Sequence, residues 1–497
     1  MFAGISLKIY ILNKKMKKTG IDAISFYVPK LFVDMKKLAY KRDIPYDKLN
    51  KGLGLKKMSI PDCDEDTASF AANALLNLIR SNNLDPREIG RIYLGTESAL
   101  DASKSTSSYV LEILEEILSN KFGSRCFKNC DVVDLTFACV GAVDALQNCN
   151  DWVINGDDRK AVVIASDLSK YELESTGEYT QGAGAVALLI SENPSIISIT
   201  NNWGVATKST SDFFKPRRVH DKKEILKETA NLFGKEISDK EALNILNNNK
   251  SEFWSYSNVN FELHKEEPIF ESQYSNECYQ ERIFEALDHF TSQKKVNILK
   301  DWNHLIFHLP YAFHGRKMLI KKWILWLDEN ESLDQLINEI GEIHNADEKA
   351  WIRLAGKSKL YNNFISERIA PGELASSEIG NMYTASIFMS LLSMLNNAIN
   401  DNQELSNNKI GFISYGSGSK AKIFEGIIQD NWKEKVKFSK LFEVLNNRID
   451  IDFETYEKLH KNEITDPIFN FNNSIKLSSI QTGEYTKGYR KYKYNLK

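Results

Sequence analysis

The sequence predicts an α/β fold with parallel strands, and the stretch from residue 131 to residue 167 carries that prediction. Residues 132–137 form a largely apolar run of strand length, and residues 161–165 form a second one. Between them, apolar side chains recur every three or four residues, which indicates a helix with one buried face: Val143, Leu146, Cys149 and Val153. The order strand, helix, strand is typical of a parallel sheet, whose crossover loops meet at the C-terminal edge of the strands.

Cys139 lies in the small-residue turn ACVGA, residues 138–142, between the first strand and the helix. Unpaired N–H groups at a helix N-terminus carry a partial positive charge, so a thiolate there is stabilised and the thiol pKa of ~8.5 is expected to fall. The small neighbours leave room for a substrate carbonyl to reach the sulfur. Free cysteine more often simply packs in a core, but this position makes Cys139 the candidate nucleophile.

The chain before this unit continues the same α/β pattern. Residues 20–27 alternate as a strand, and a helix is expected around residues 33–40. A second helix is expected over residues 66–80, with Asp66 or Thr67 as its cap.

Residues 89–98 are predicted to be a strand that runs into Gly95, Thr96 and Glu97. A carboxylate at the C-terminal end of a buried strand lies where parallel-sheet enzymes keep their sites. The alternative interpretation is a solvated loop glutamate.

Asp167 follows the apolar run 161–165 in the same way. Further along the chain, residues 182–185 are all glycine or alanine. Such small residues indicate that a backbone or a ligand packs close to them, and the absence of G-x-G-x-x-G excludes a dinucleotide loop.

Three further polar groups lie in the second half of the sequence. His308 follows two apolar residues and precedes Pro310, which sets a turn after a strand; a packed core histidine is the alternative. Asn381 stands near the start of a predicted helix, where its amide either donates to a carbonyl oxygen or caps the helix. Residues 411–419 run from a strand into a glycine-rich turn whose N–H groups can contribute to an oxyanion hole or an anion nest.

Composition excludes several classes of function. A chain of 497 residues with 42% hydrophobic and 26% charged residues can bury a large core, and its length alone suggests three domains. A net charge of −3 and a pI near 6.3 give no electrostatic case for binding nucleic acid or an anionic membrane. No run of 18 apolar residues predicts a transmembrane helix, and the N-terminal lysines follow the apolar stretch instead of preceding it as in a secretory signal. Six cysteines without regular spacing indicate reduced, intracellular thiols, and no CxxC pair or histidine cluster indicates zinc.

Seven motifs occur in order between about residue 18 and residue 492: GLGLKKM, LGTES, TFACVGA, QGAGAVALL, FHLPYAFHGRK, GNMYTAS and SYGSGS. In sequence and order they resemble the 3-hydroxy-3-methylglutaryl-CoA (HMG-CoA) synthases of the thiolase-like superfamily. The resemblance implies an α/β, thiolase-like layered fold with two similar βαβ halves in an α-β-α-β-α sandwich.

The same resemblance implies a division of the chain. Residues 1–17 are predicted to be an N-terminal extension, with Met1 or Met16 as the start. Residues 18–200 form the half that carries Glu97 and Cys139, and residues 300–497 form the half that carries His308, Asn381 and the glycine-rich loop. Between them, residues 201–299 form a helical region in which residues 218–265 are an enlarged surface insert.

By this resemblance Cys139 is the nucleophile, Glu97 the general acid/base, and His308 the group that binds the acetoacetyl substrate and assists proton transfer. The chemistry agrees, because a base that deprotonates a thioester methyl needs a dry pocket that raises its pKa. The predicted substrate-binding residues are Thr180, Asp167, Tyr171, Asn381, Lys317, Tyr415, Gly416 and Ser417. Lys317 matches a basic position used for the coenzyme A phosphates, and Phe313 replaces a second lysine of the family pattern.

The implied reaction joins acetyl-CoA, acetoacetyl-CoA and water to give HMG-CoA and CoA through an acetyl-S-cysteine intermediate, as in the mevalonate pathway to isoprenoids. Coenzyme A thioesters are the substrates, and no metal or other cofactor is expected. The expected protein is a cytoplasmic, homodimeric acyltransferase with no nucleic-acid or membrane partner. Three alternatives are a β-branching synthase acting on carrier-protein thioesters, a cysteine-dependent acyl-CoA thioesterase, and a non-catalytic acyl-CoA-binding scaffold.

Overall fold

A computed structural model describes residues 17–249, 254, 259–342, 347–470 and 472–495. All of the predicted N-terminal extension except Lys17, including both candidate start residues, lies outside these residues. The strands are, in chain order, β1 (Thr19–Tyr27), β2 (Leu31–Asp34), β3 (Lys57–Ile60), β4 (Ile89–Gly95), β5 (Asp131–Leu135), β6 (Lys160–Ser169), β7 (Gly182–Glu192), β8 (Ile197–Thr207), β9 (Phe213–Phe214), β10 (Arg218–Asp221), β11 (Asn260–Leu263), β12 (Ile269–Phe270), β13 (His304–Phe307), β14 (Lys409–Gly416), β15 (Lys420–Ile428), β16 (Ile449–Asp450), β17 (Ser474–Ile480) and β18 (Arg490–Asn495).

Helices connect these strands and cover the sheet. The α-helices are Met35–Lys41, Thr67–Ser81, Thr106–Phe122, Gly141–Ile154, Lys222–Leu232, Asp239–Asn248, Ser272–Gln293, Ile298–Asp301, His314–Glu329, Leu333–Ile340, Glu348–Ala355, Lys359–Arg368, Ala370–Ile379, Ser386–Asn400, Trp432–Val436, Leu441–Asn446 and Phe453–His460. Short 3₁₀ or π turns span Lys48–Gly52, Pro86–Glu88, Glu178–Thr180 and Tyr383–Ala385.

The central feature is a nine-stranded sheet with the order β13-β14-β15-β8-β1-β7-β6-β4-β5. Five neighbouring strands of this sheet belong to the first half of the chain: β1, β7, β6, β4 and β5. The other four are hydrogen-bonded to each other in the order β13, β14, β15 and β8. The two sets meet through a short ladder of two residue pairs between β1 and β8. The predicted boundary at residue 200 therefore falls inside β8, which pairs along its length with β15.

Successive residues of a strand point to opposite faces of the sheet, so each of the two strand sets has two faces that helices cover. Because the two sets share one central layer of helices, five layers result. Val163 faces a core that it shares with the helices Gly141–Ile154 and Ser386–Asn400, whereas its neighbour Ile164 faces the helices Thr67–Ser81 and Thr106–Phe122. In the other strand set, Phe412 faces the shared central core and Ile413 faces the helices Ser272–Gln293 and His314–Glu329. This helix, sheet, helix, sheet, helix order agrees with the predicted layered α/β fold.

Most predicted elements of the first half are confirmed, with two differences. The helix expected around residues 33–40 begins at Met35, because residues 31–34 form β2 and Asp34 caps the helix by accepting from the N–H of Lys36. The second helix begins at Thr67 with Asp66 as its cap. The strands at both ends of the unit 131–167 are parallel, as predicted, but both pair with β4, which lies between them.

The predicted surface insert is a hairpin in which β10 pairs with β11. The helices Lys222–Leu232 and Asp239–Asn248 lie between these strands, and their described residues are mostly exposed. In contrast, the helix Ser272–Gln293 belongs to a buried core with β14 and β15.

Candidate active site

The nucleophile turn is positioned by close packing against the end of β4. A Cβ atom at Gly95 would lie 2.3 Å from the backbone nitrogen of Ala142, so only glycine allows this approach. Ala138 adopts the left-handed region with φ of 39°, and the next residue, Cys139, directly precedes the first turn of the helix Gly141–Ile154. The end of β4 and the start of this helix thus bring Glu97 and Cys139 together.

The Cys139 thiol donates a hydrogen bond to Oε1 of Glu97 over 2.7 Å. Burial raises the pKa of Cys139 well above the ordinary value for a thiol, and the neighbouring Glu97 carboxylate raises it further. The expectation that the helix N-terminus lowers this pKa is therefore wrong, because desolvation and a nearby negative charge outweigh the helix dipole. Burial also raises the pKa of Glu97 to about 7. At neutral pH the pair consists of a protonated thiol and a carboxyl group close to its midpoint.

Asp167 is fully buried behind this pair and does not line the cavity that Cys139 faces. Its Oδ1 accepts from the Glu97 backbone N–H at 2.7 Å and from Thr96 Oγ1 at 2.9 Å. Its Oδ2 accepts from both the backbone N–H and the hydroxyl of Thr384. Burial raises the pKa of Asp167 to about 6 in spite of these bonds. The structure thus places this predicted substrate-binding residue where it orients the backbone of Glu97.

Cys139 opens into a cavity of about 220 Å³ that most of the predicted site residues share. Its wall includes Tyr171, Thr180, His308, Asn381, Tyr415 and Ser417. The hydroxyl of Thr180 donates to the Gly177 carbonyl at 2.7 Å, so this side chain is fixed in the wall. The ring of Tyr171 packs edge-on to Phe270, with 5.1 Å between ring centroids.

His308 follows β13 directly and is almost completely buried. The hydroxyl of Tyr279 donates to the His308 carbonyl at 2.8 Å, and the His308 N–H donates to the Ile413 carbonyl at 3.0 Å. Burial lowers the pKa of the imidazole to about 3, so the ring is neutral at physiological pH. Its Nδ1 has no hydrogen-bond partner among the described residues. The backbone of Tyr383 also hydrogen-bonds the ring, which raises its pKa but does not offset burial. The residue lines the cavity and has one ring nitrogen without a partner in the described residues.

The Asn381 amide stabilises the turn before the helix Ser386–Asn400 and does not cap that helix, whose N-cap is Ala385. Its Oδ1 accepts from the Tyr383 N–H at 2.8 Å and from the Ser386 hydroxyl at 3.1 Å, which stabilises the turn before the helix Ser386–Asn400. Because both contacts occupy the oxygen, the Nδ2 group is the end of the amide that remains for the cavity. An amide donor at this point can hydrogen-bond a carbonyl oxygen.

The glycine-rich loop packs directly against the nucleophile turn. A Cβ atom at Gly416 would lie 2.5 Å from the Phe137 carbonyl oxygen, and Gly416 does not itself line the cavity. The N–H of Gly418 donates to Asp212, and that of Ser419 donates to the Lys208 carbonyl. These two N–H groups are occupied by protein acceptors, so an oxyanion hole at this loop would have to use other donors.

Lys317 does not line the cavity either. It is exposed on the helix His314–Glu329, and its Nζ lies 5.4 Å from the ring centroid of Tyr311, which does line the cavity. This places the Lys317 ammonium next to a residue of the cavity wall.

Sequence reasoning missed several side chains that build the site. Tyr279, Tyr311, His314 and Tyr383 line the cavity, although none was predicted to do so. Tyr383 stands two residues after Asn381 in the GNMYTAS motif, so the motif itself offered a signal. Tyr279 lies on the helix Ser272–Gln293, far from the recognised motifs, and no local pattern marks its contact with His308.

Comparison with known proteins decides the family. Residues 15–195 match the model of the hydroxymethylglutaryl-coenzyme A synthase N-terminal domain, and residues 253–491 match that of the C-terminal domain. The chain belongs to the hydroxymethylglutaryl-coenzyme A synthase family.

Individual members of the HMG-CoA synthase family resemble the chain over most of its length. The HMG-CoA synthase of Haloferax volcanii is 28% identical over 460 residues, which cover 90% of this chain and 92% of that protein. The cytoplasmic HMG-CoA synthase of Homo sapiens is 28% identical over 440 residues, which cover 82% of this chain and 71% of the human protein. The predicted family and the predicted class of acyl-CoA condensing enzyme are confirmed.

The structure of MvaS in complex with 3-hydroxy-3-methylglutaryl coenzyme A is similar in fold, with a TM-score of 0.74 and 24% identity. The similarity covers 96% of this chain and 99% of that chain. It confirms the predicted thiolase-like fold of this HMG-CoA synthase family member. Within the described residues, no helix has the combination of length and apolar character that crossing a membrane requires.

Proposed function

We propose that this chain condenses acetyl-CoA with acetoacetyl-CoA and water to form HMG-CoA and CoA through an acetyl-S-Cys139 intermediate. The observation that carries the proposal is the direct hydrogen bond from the Cys139 thiol, which lines the same cavity as His308 and Asn381, to the Glu97 carboxylate. A nucleophile and two neutral polar groups at one cavity, with a base in direct contact with the nucleophile, are the groups that carbon–carbon bond formation between two thioesters requires.

Acetylation comes first. The Cys139 thiol passes its proton to Glu97, which already accepts its hydrogen bond. The sulfur attacks the acetyl carbonyl carbon of acetyl-CoA, and the coenzyme thiolate leaves and takes up the proton. Because the thiol pKa is raised, the thiolate forms only as this proton is transferred. The product is an acetyl thioester on Cys139, with Glu97 again ionised.

Condensation uses the same carboxylate a second time. Glu97 removes a proton from the acetyl methyl group, and the resulting carbon nucleophile attacks the ketone carbon of acetoacetyl-CoA. The neutral His308 donates a hydrogen bond to the ketone oxygen, and Asn381 Nδ2 is the second available donor for a thioester carbonyl. The new alkoxide receives a proton from the Glu97 carboxylic acid. Water then adds to the thioester on Cys139 and releases HMG-CoA, which restores the thiol.

The experiment that tests this function follows isotope from substrate to product. The purified chain is incubated with ¹³C-labelled acetyl-CoA and analysed by mass spectrometry before and after unlabelled acetoacetyl-CoA is added. We expect a labelled acetyl group on Cys139, and then labelled HMG-CoA as this adduct disappears. Labelled acetate without HMG-CoA would instead identify a thioesterase, and a stable adduct that acetoacetyl-CoA does not consume would indicate a different acceptor.

A synthase that acts on carrier-protein thioesters is the second candidate. One observation favours it: Phe313 stands where the family resemblance predicts a second lysine for the coenzyme phosphates, and it stacks on the Arg316 guanidinium at 3.9 Å instead. Assaying acetoacetyl-CoA against acetoacetyl-pantetheine on a carrier protein separates the two candidates. A large preference for the carrier-bound thioester would show that the second candidate, and not the CoA-dependent synthase, is the function of the chain.

We also propose that the enzyme needs no metal or other cofactor, acts in the cytoplasm in the mevalonate pathway, and forms a homodimer. The named location of the human relative supports the cytoplasm. The dimer is supported by β5, an edge strand of the nine-stranded sheet whose valines are only partly buried. An uncovered edge strand is a template for pairing with a second copy. Sedimentation as a 56.8 kDa monomer at micromolar concentration would remove this support.

Replacing His308 with asparagine is expected to weaken acetoacetyl-CoA binding while acetylation of Cys139 continues. The ring is neutral, so the change removes one ordinary hydrogen bond of about 0.5–1.5 kcal/mol, which is roughly a twofold to tenfold loss of affinity. Binding to the acetylated or Cys139→Ala protein, measured by calorimetry, checks this value.

The matched control for His308 is His304→Asn in β13. His304 is also buried, its Nδ1 also has no partner among the described residues, and it does not line the cavity. Its replacement is expected to lower the melting temperature and leave affinity unchanged. Should His308→Asn show the same pattern, His308 would be a packed core residue.

A further inference from the structure

The base of the surface insert is a two-part ribbon with a gap opposite Glu97. On the outer side of the gap, Arg218 of β10 pairs with Leu263 of β11. On the inner side, Phe214 of β9 pairs with Ile269 of β12. Lys215 and Glu266 lie in the gap itself, one on each side of the ribbon. The register of the two ladders therefore brings these two side chains together.

Lys215 connects the ribbon to the catalytic pair. Its Nζ donates to the Glu97 backbone carbonyl at 3.2 Å and to Glu266 Oε2 at 3.0 Å. The ammonium also lies 4.9 Å from the ring centroid of Tyr383. The Lys215 side chain is only 9% exposed, whereas Glu266 is 27% exposed and its other oxygen contacts His264. A nearly buried cation is thus held between the backbone of the base and a carboxylate at the end of the insert.

A second cleft of about 500 Å³ reaches Glu97 from the side of the insert. Its wall includes Thr96 and Ala99 from the Glu97 segment and Arg217, Glu262 and His264 from the ribbon. Glu97 is therefore placed between the cavity of Cys139 and a cleft formed by the insert.

The groups around Glu97 have opposite effects on the pKa of its carboxyl group. Burial raises the pKa of Glu97, Lys215 lowers it, and Asp167 and Glu266 raise it. The thiol of Cys139 also lowers this pKa by donating its hydrogen bond, and the phenols of Tyr171 and Tyr383 are the other titratable groups close to Glu97. Across the cleft lie Asp101, Arg217, Glu262 and His264. Among these groups, Lys215 is the nearly buried cation, and Glu266 is its only carboxylate partner in the described residues.

We propose that Glu266, acting through Lys215, is a positioning residue that shifts the balance between the protonated and ionised forms of the Glu97 carboxyl at neutral pH. The carboxylate that partly neutralises the cation beside the base directly follows the insert, and His264 of the insert contacts its other oxygen. The catalytic consequence rests on the proposed function, in which Glu97 must be ionised to accept protons. The electrostatic coupling itself does not depend on that function.

The test is a titration of Glu97 in the ligand-free protein. The infrared absorption of its protonated carboxyl is isolated by subtracting the spectrum of Glu97→Gln, and it is followed against pH. Glu266→Gln removes a negative charge that raises the pKa of Glu97, so the midpoint is expected to move to lower pH. Lys215→Gln removes a positive charge that lowers this pKa, so the midpoint is expected to move to higher pH, and Lys215→Arg is expected to restore it. A displacement of about half a pH unit corresponds to a roughly threefold change in the ratio of ionised to protonated carboxyl.

Glu262→Gln is the matched control. Glu262 lies on the same ribbon and lines the same cleft, but it pairs with Arg217 at 3.5 Å and both side chains are more than half exposed. Its replacement is expected to leave the midpoint unchanged. An unchanged or raised midpoint in Glu266→Gln would overturn the inference, as would equal shifts in Glu266→Gln and Glu262→Gln.

The pH profile of condensation is then measured on the same variants. If Glu97 is the base, the acid limb of kcat/KM moves in the same direction as the infrared midpoint. Infrared shifts without a matching change in the acid limb would contradict the role of Glu97 in the proposed function and leave the coupling to Glu266 intact.

Discussion

Cys139→Ala is expected to abolish acetylation and lower HMG-CoA formation by ~10⁴ or more, because the covalent intermediate can no longer form. Alanine suits this turn, since the neighbouring residues are small and the substitution removes only the sulfur atom. The fold is therefore expected to persist. Mass spectrometry after incubation with labelled acetyl-CoA measures the adduct directly, and circular dichroism measures the fold.

Cys149→Ala is the matched control for this change. Cys149 lies on the helix that begins just after Cys139, and it is completely buried in the core between the two strand sets. Its replacement is expected to leave the acetyl adduct intact and to lower stability by about 1 kcal/mol. If Cys139→Ala retained an acetyl adduct of undiminished amount, the nucleophile would have to be one of the other thiols: Cys63, Cys126, Cys130, Cys149 or Cys278.

The parts of the fold that depend on local pattern could be predicted from the sequence. The helix Gly141–Ile154 follows from apolar spacing, and the strand ends that carry Glu97 and His308 follow from apolar runs that stop at a polar residue. These signals lie within a few residues of each other. They could not reveal that β4 lies between β5 and β6, because that order depends on which strands pair across the sheet.

The electrostatics of the site could not be predicted from local position. A helix N-terminus alone favours a thiolate, but the folded chain adds a partly buried carboxylate 2.7 Å from the sulfur, which the sequence places 42 positions away. Asp167 has the same limitation: the family resemblance suggested a substrate contact, whereas its oxygens are used by Thr96, Glu97 and Thr384. Long-range contacts of this kind decide whether a polar residue touches substrate or supports one that does.

Glu97→Gln is expected to separate the two chemical steps. Condensation should fall by ~10²–10⁴, because within the catalytic pair only the carboxylate can remove the methyl proton. Acetylation should fall by less, for two opposing reasons. The amide cannot accept the thiol proton, but removing the carboxylate charge lowers the pKa of Cys139 and makes the thiolate easier to form. Single-turnover assays with acetyl-CoA alone and with both substrates measure the two rates.

Stability and thiol reactivity provide the controls for Glu97→Gln. The pKa of Glu97 is raised on folding, so its ionisation above that pKa opposes the folded state. The glutamine variant is therefore expected to melt at or above the wild-type temperature at pH 8. Alkylation of Cys139 at neutral pH should be faster in the variant, because its thiol pKa is lower. A variant that melts like the wild type yet loses acetylation and condensation by the same factor would contradict the expectation that condensation depends on Glu97 more than acetylation does.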